Sequence, residues 1–385
     1  MKIRPVSRSL VFPYLAFPPP AKLVGLLMLA GLGPWMAQPA AADPAGDLVH
    51  PRYGHTATLL LDGRVLTVGG VIDSFYGFSY YTEIYQPATN SWSAAGNLFQ
   101  WRAFQATVLL QDGRVLTMGG EVPGVSIVST AEIFDPATGN WAETNAMMAP
   151  RAFFDAIPLP DGKVLAAGGL SSGTTTELFD PPTHSWSPTG SLAQPRAYGH
   201  MTLLDNGKVL MAGGNNYSNG TYIAETELYD AATGTWSATG SLNVPRINFV
   251  QVKLADGRVL VAGGLLKSSP RHPKVTNTAE IYDPATGLWT LTGSLKTARA
   301  DFTANLLSSG RVFVAGGDDG TPLAFDSIEE FSPRNGKWRT LPTPLSNTRK
   351  FHTTTTLPDG SLLVAGGRDA SNDFVPDAEL FVRPR

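Results

Sequence analysis

Seven arginines in this chain are each followed by a short stretch whose polar content changes from one copy to the next. The stretches read YGHT after Arg52, AFQA after Arg102, AFFD after Arg151, AYGH after Arg196, INFV after Arg246, ADFT after Arg299 and KFHT after Arg349. Their polar members are His55, Gln105, Asp155, Tyr198, His200, Asn248, Asp301 and His352. Imidazoles and carboxylates converging on one point supply the donor and acceptor of acid–base chemistry, or ligands for a metal. Asp155, Asp301, His55 and His352 are the candidates for proton transfer, and His55 and His352 share one offset from their arginines. The other offsets differ, so strand alternation aims some of these side chains elsewhere. Hydrogen-bonded structural histidines are the commoner outcome, and no metal site and no cofactor are expected.

A second group sits in loops further along. VIDSFYGFSYYT carries Phe75, Tyr76, Phe78, Tyr80 and Tyr81, and NNYSNGTYIAET carries Asn215, Asn216, Tyr217, Asn219 and Tyr222. Another loop brings Lys267, Arg271, His272 and Lys274, and the last two offer Asp318, Asp319, Arg368, Asp369, Asn372 and Asp373. Flat aromatic faces beside amides and carboxylates suit sugars, whose C–H faces stack while their hydroxyls are bonded. The candidate ligand contacts are Phe75, Tyr76, Tyr80, Asn215, Asn216, Tyr217 and Tyr222, joined by Gln105 and His200. A peptide or protein partner is the competing reading, and a third is that the aromatics merely cover the underlying fold.

These residues must be positioned by a repeat. Gly-Gly pairs begin at 69, 119, 168, 213, 263, 316 and 366, each 17 residues after its arginine. Between them lie two alternating apolar runs joined by Asp-Gly, Asn-Gly or Ser-Gly, as in TATLLLDGRVLTVGG; such turns are strong hairpin signals. A third run holds Glu83, Glu132, Glu177, Glu227, Glu280, Glu329 and Glu379, and the first six are followed nine residues later by Trp92, Trp141, Trp186, Trp236, Trp289 and Trp338. Each unit is therefore four short antiparallel strands, and units of this length stack as propeller blades. Seven arginines against seven glutamates at the same end of the blade predict ion pairs, or arginine–backbone bonds that join blades, rather than an anion-binding ring. Gly-Gly is read as steric, because no helix follows to make it a phosphate loop.

The Gly-Gly ending of strand two, the aromatic of strand three and the Trp of strand four resemble kelch repeats, as in the galactose oxidase and kelch superfamily. The resemblance covers residues 43–385 and implies an all-β, seven-bladed kelch-type β-propeller with blades beginning near 52, 102, 151, 196, 246, 299 and 349. It says little about activity, since one propeller hosts unrelated functions. Copper radical oxidases of this superfamily need a cysteine bonded to a tyrosine, and this chain has no cysteine. Some exported relatives are sugar mutarotases, so a mutarotase or epimerase-like enzyme using Asp and His at the channel mouth is the alternative to a binding or scaffold module.

Where the units disagree is more informative than where they agree. From the second glycine to the glutamate the gap runs 13, 12, 8, 13, 16, 12 and 12 residues. Variation thus concentrates in the strand 2–3 connections, which all emerge on one face, the expected binding face.

Residues 1–42 contain four basic and no acidic residues, an apolar run LVGLLMLAGLGPWM and a terminal Ala40-Ala41-Ala42. That order is expected of a secretory signal peptide, which makes the remainder a secreted or periplasmic monomer without a membrane span; a retained anchor is the alternative. The remainder carries 25 Lys and Arg against 32 Asp and Glu, a net charge of −7. Nucleic acid is therefore an improbable partner. The last unit stops after its third strand, while residues 43–50 align with the end of a fourth. Residues 43–50 are expected to complete that blade and close the ring, with Ala42 at the missing seventh Trp position.

Overall fold

A computed structural model describes residues 43–72, 77–124, 126–267 and 274–381. They form seven four-stranded antiparallel sheets, and no helix occurs among them. Blade 1 consists of Thr56–Leu59, Val65–Val68, Thr82–Gln86 and Ser91–Ala94, paired in that order. Blades 2 to 6 repeat it. The first strands contact one another in a closed sequence of seven around a central axis. Each second strand, such as Val65–Val68 or Val312–Ala315, is buried along its whole length. Neighbouring blades cover both its faces, which is why these runs are continuously apolar rather than alternating.

Blade 7 closes the ring as the sequence predicts. Its inner three strands are Thr353–Thr356, Leu362–Ala365 and Asp377–Phe381, and its outer strand is Asp43–Asp47, antiparallel to the third. Ala45 and Leu48 are buried against Tyr85 of blade 1 and Leu363 of blade 7. Closing the ring leaves no open sheet edge at the seam.

The invariant spacing of 17 has a direct cause. Each arginine reaches the carbonyl of the first glycine in its own blade, at 2.7–3.2 Å, and its glutamate on strand three. All seven guanidinium groups are buried at 0–1% exposure. The second glycine then donates its N–H to the backbone carbonyl of the next blade's arginine, from Gly70→Arg102 around to Gly367→Arg52. The ion pair is thus internal to a blade, and the arginine's own carbonyl does the joining. The glutamate adds a further tie by accepting from the preceding interblade linker, as Glu83 does from Val49 and His50. A buried charge needs this full set of partners.

Gly-Gly is steric, as expected. At Gly70 φ is +96°, and a Cβ there would lie 2.8 Å from the carbonyl oxygen of Tyr53.

Candidate functional site at the propeller mouth

The strand 2–3 and strand 4–1 connections share one face with the arginines, and the Asp-Gly turns lie on the other. Two residues after each arginine the backbone turns left-handed: Gly54, Phe104, Phe153, Tyr198, Asn248, Asp301 and Phe351 have φ between +50° and +62°. At six of the seven steps around the ring, the N–H of this residue donates to the carbonyl of the same position in the preceding blade, at 2.9–3.3 Å. Left-handed backbone costs a non-glycine residue about 1–2 kcal/mol. Its recurrence in all seven blades makes it architecture rather than a local oddity. What varies is the side chain each turn presents at the channel mouth.

Around the mouth those side chains divide into two sectors. Phe351, Tyr53, Phe104, Phe153 and Tyr198 form an aromatic arc with ring centroids 4.5–6.4 Å apart, extended by Tyr217 at 6.1 Å from Tyr198. Gly54 makes room for this arc, since a Cβ there would lie 2.7 Å from Phe104. Opposite it, Asn248 donates from Nδ2 to Asp301 at 2.7 Å. Behind Asp301 stand Asp318 and Lys350, paired at 3.0 Å and nearly excluded from solvent. Lys350 also reaches the carbonyls of Thr321 and Pro322.

Burial pushes the Asp301 carboxyl well above the usual carboxylate range, and the charge of Asp318 adds to it. Lys350 and the Asn248 hydrogen bond act against that shift without cancelling it. Asp318 is raised by burial too, opposed first by Lys350. Burial also raises Glu121, which sits directly after the blade 2 Gly-Gly. The Tyr198 phenol is pushed well up by burial, then by Tyr217. A carboxyl pushed toward its protonated form beside an aspartate–lysine pair can hold and move a proton at the Asp301 oxygens.

The short third loop leaves a notch of about 160 Å³ between blades 3 and 4. Leu170, Ser171 and Gly173 form one wall, and Asn215, Tyr217 and Ser218 form the other. The other strand 2–3 loops stand up as small ribbons, such as Asn215–Asn216 with Thr221–Tyr222, or as isolated bridges. A larger depression of about 360 Å³ lies among the turns of blades 1 and 2 on the far face. Its charges are locally spent, Arg64 on Asp62 and Arg114 on Asp112.

Several sequence candidates stand elsewhere. His55 and His352 are 6% and 5% exposed and wedge between blades, beside Gly366 and Gly316 of the preceding blade. Their Nε2 atoms meet the hydroxyls of Thr353 and Thr303. Gln105 has the same offset and is likewise a wedge, donating to the Val68 carbonyl at 2.7 Å. Expecting convergence of these three at the mouth is corrected by the left-handed turn just before them, which directs the next side chain into the seam. Asp155 bridges blades 3 and 4 by accepting from Met201 N–H at 2.7 Å, with His200 Nδ1 3.8 Å away. Asp155 and Asp301 therefore do not form a pair.

Asn215 and Tyr217 flank the notch. Asn216 is buried and shapes its loop by accepting from Ser218 N–H, while Tyr222 is half-buried in the ribbon. Tyr80 belongs to a separate aromatic row, His50–Tyr81–Tyr80–Trp101, with successive centroids 3.9, 4.3 and 5.9 Å apart. Phe75, Tyr76, Arg271 and His272 lie outside the described residues. The sequence reading missed Glu121 and Lys350. They occupy the positions just after Gly-Gly and just after the arginine, and comparing units at those fixed offsets singles them out.

Fold and mouth together define the class: a seven-bladed β-propeller with a variable loop face. The kelch motif family model matches residues 306–345, which span the end of the first strand of blade 6 through its fourth strand and the following linker. Among solved structures, a fungal alcohol oxidase of the AA5 family in complex with copper is similar with a TM-score of 0.71. The match is 19% identical and covers 87% of this chain and 74% of that one, a likeness of fold. The chain thus carries a kelch motif in blade 6 and shares the propeller fold of that solved structure. Its residues do not fit a copper radical centre of the kind the resemblance implies, for there is no cysteine. No cluster of three or more His, Asp or Glu suited to a metal occurs among the described residues. Among those residues no helix is long and apolar enough to cross a membrane.

Proposed function

We propose that this chain is an exported, monomeric binding module whose mouth face takes a carbohydrate or similar polyhydroxylated ligand. The observation that carries the reading is the junction of the Tyr198–Tyr217 stack with Asn215, Asn248 and Asp301. There, aromatic faces meet amide and carboxyl groups beside an open notch. Pyranose C–H faces stack on such rings, and the polar groups select hydroxyls. Tyr217, at 41% exposure, is the accessible member. A glycan array followed by titration of the best ligand tests this. Tyr217→Ala should weaken binding about tenfold or more, the loss of one stacking contact with its hydrogen bond. Unaltered affinity, or capture of protein ligands alone, would remove the sugar assignment. Export rests on the basic, apolar, small-residue order of residues 1–42.

A second reading is favoured by the raised Asp301 carboxyl. In a mutarotase, Asp301 would protonate the ring oxygen of a sugar as the C1–O bond opens, while an ionised neighbour takes the anomeric hydroxyl proton. Asp318, whose ionised form Lys350 favours against the opposing effect of burial, is the candidate for that neighbour. Asp301→Asn should then abolish accelerated anomer exchange, followed by NMR. No acceleration by the parent protein across a sugar panel leaves only the binding role.

A further inference from the structure

Arginines in this molecule are almost all spoken for. The seven blade arginines pair with glutamates, Arg64, Arg114 and Arg258 pair with aspartates two residues earlier, and Arg311 and Arg339 share Glu330. Arg334 is exposed. Arg368 alone is partly buried without a carboxylate among the described residues; its buried Nε has no acceptor, as is also true of five of the carboxylate-paired blade arginines. It follows the blade 7 Gly-Gly and bridges by backbone to Lys350 and Phe374. The guanidinium lies 4.2 Å from the Tyr53 ring centroid and 5.0 Å from that of Phe374. Of the carboxylates in these two loops, Asp369 accepts from the N–H groups of Ser371 and Asp373, Asp318 holds Lys350, and Asp373 is exposed to solvent.

A guanidinium between aromatic faces is fixed in plane, and its donors point outward along its edge. A guanidinium without a carboxylate partner keeps donors to offer, and a planar two-oxygen anion satisfies them best. Tyr53, beneath Arg368, is also the first ring of the arc that runs through Phe104 and Phe153 to Tyr198 and Tyr217. We propose that Arg368 is a carboxylate-binding point and that the ligand of this mouth is an acidic sugar, a uronate, lying along the aromatic arc with its carboxylate on Arg368. This rests on the carbohydrate reading above and narrows it.

The test is calorimetric titration of the full protein with oligogalacturonate and oligoglucuronate. Their methyl esters and a neutral oligosaccharide of the same length serve as controls, and the variants are Arg368→Gln, Arg368→Lys and Tyr217→Ala. Acids should bind about tenfold or more tighter than their esters, the scale of a charge-assisted bidentate contact. Arg368→Gln should erase that preference, and Arg368→Lys should keep only part of it. An ester binding as well as its acid, no uronate binding, or an Arg368→Gln variant that keeps the preference overturns the proposal. Stronger binding of a glutamate-rich peptide than of any uronate also overturns it. Neutral sugars that bind through Tyr217 with no preference for acids sink the acidic-sugar assignment alone. Acids that bind through Arg368 irrespective of Tyr217→Ala, with neutral sugars silent, sink the broader carbohydrate reading instead. Unchanged thermal unfolding of Arg368→Gln separates lost contacts from lost fold.

Discussion

Single residues here do two jobs because the backbone turns sharply between them. In blade 1, Arg52 locks strands two and three, Gly54 bends the chain, and His55 fills the seam with blade 7. Burial and then the Arg52 charge lower the His55 pKa from 6.5 to about 3, and His352 is lowered well below its ordinary value in the same way. Below pH 6.5 the unfolded chain therefore binds protons that the folded chain refuses. Stability from these histidines is complete above that pH and falls as pH drops below it, for His55 down to about 3 and by about 1.4 kcal/mol per pH unit. Gln105 shows that glutamine fits the same wedge. The pair His55→Gln and His352→Gln should therefore flatten the acid limb of urea-unfolding stability between pH 6.5 and 4. Parallel profiles for parent and variant would contradict the assignment. Both histidines were visible in the sequence, but not their direction. Alternation along a strand presumes extended backbone, and the left-handed residue before each one breaks it.

At the level of strands, the missing seventh tryptophan has a substitute. In six blades the strand-three aromatic packs on its tryptophan at 5.0–5.3 Å, as Tyr85 does on Trp92. Phe381 of blade 7 packs instead on Phe313 of blade 6, at 4.9 Å. The other second strands carry leucine at the position of Phe313: Leu66, Leu116, Leu165, Leu210, Leu260 and Leu363. Blade 6 thus fills the seam from the opposite side. Phe313→Leu, which restores the repeat's own residue, should destabilise by about 1–3 kcal/mol, from lost burial and aromatic packing. Equilibrium denaturation measures it, and a neutral or stabilising result would remove the compensation. Six tryptophans against seven of every other repeated residue made the gap legible in the sequence. Its remedy was not, because Phe313 and Phe381 are 68 residues apart and belong to different units.

For the whole molecule, the ring stands or falls on one strand. Asp43–Asp47 supplies pairing to Asp377–Phe381, Leu48 donates to the Pro376 carbonyl, and Val49 and His50 satisfy Glu83. Deleting residues 43–50 leaves a buried carboxylate short of partners and opens a sheet edge. The unfolding free energy should drop by about 4 kcal/mol or more from lost burial and hydrogen bonds. Thermal unfolding of residues 51–381 against 43–381 decides it, and equal midpoints would show that the ring closes without its clasp. This closure and the blade count were both readable from spacing, since repetition averages away local ambiguity. The mouth chemistry was only partly readable, because Asp301, Asp318 and Lys350 meet across two blades and no single unit contains all three.

The clasp also fixes an orientation. Fourth strands begin beside the strand 3–4 turns, on the face away from the mouth, and third strands end there. Asp43 lies opposite Leu380 in that pairing. The polypeptide therefore enters residue 43 and leaves residue 381 at one spot on the rear rim. A tether attached at either end holds the propeller from behind, with Tyr217, Asp301 and Arg368 turned outward to whatever the surroundings offer.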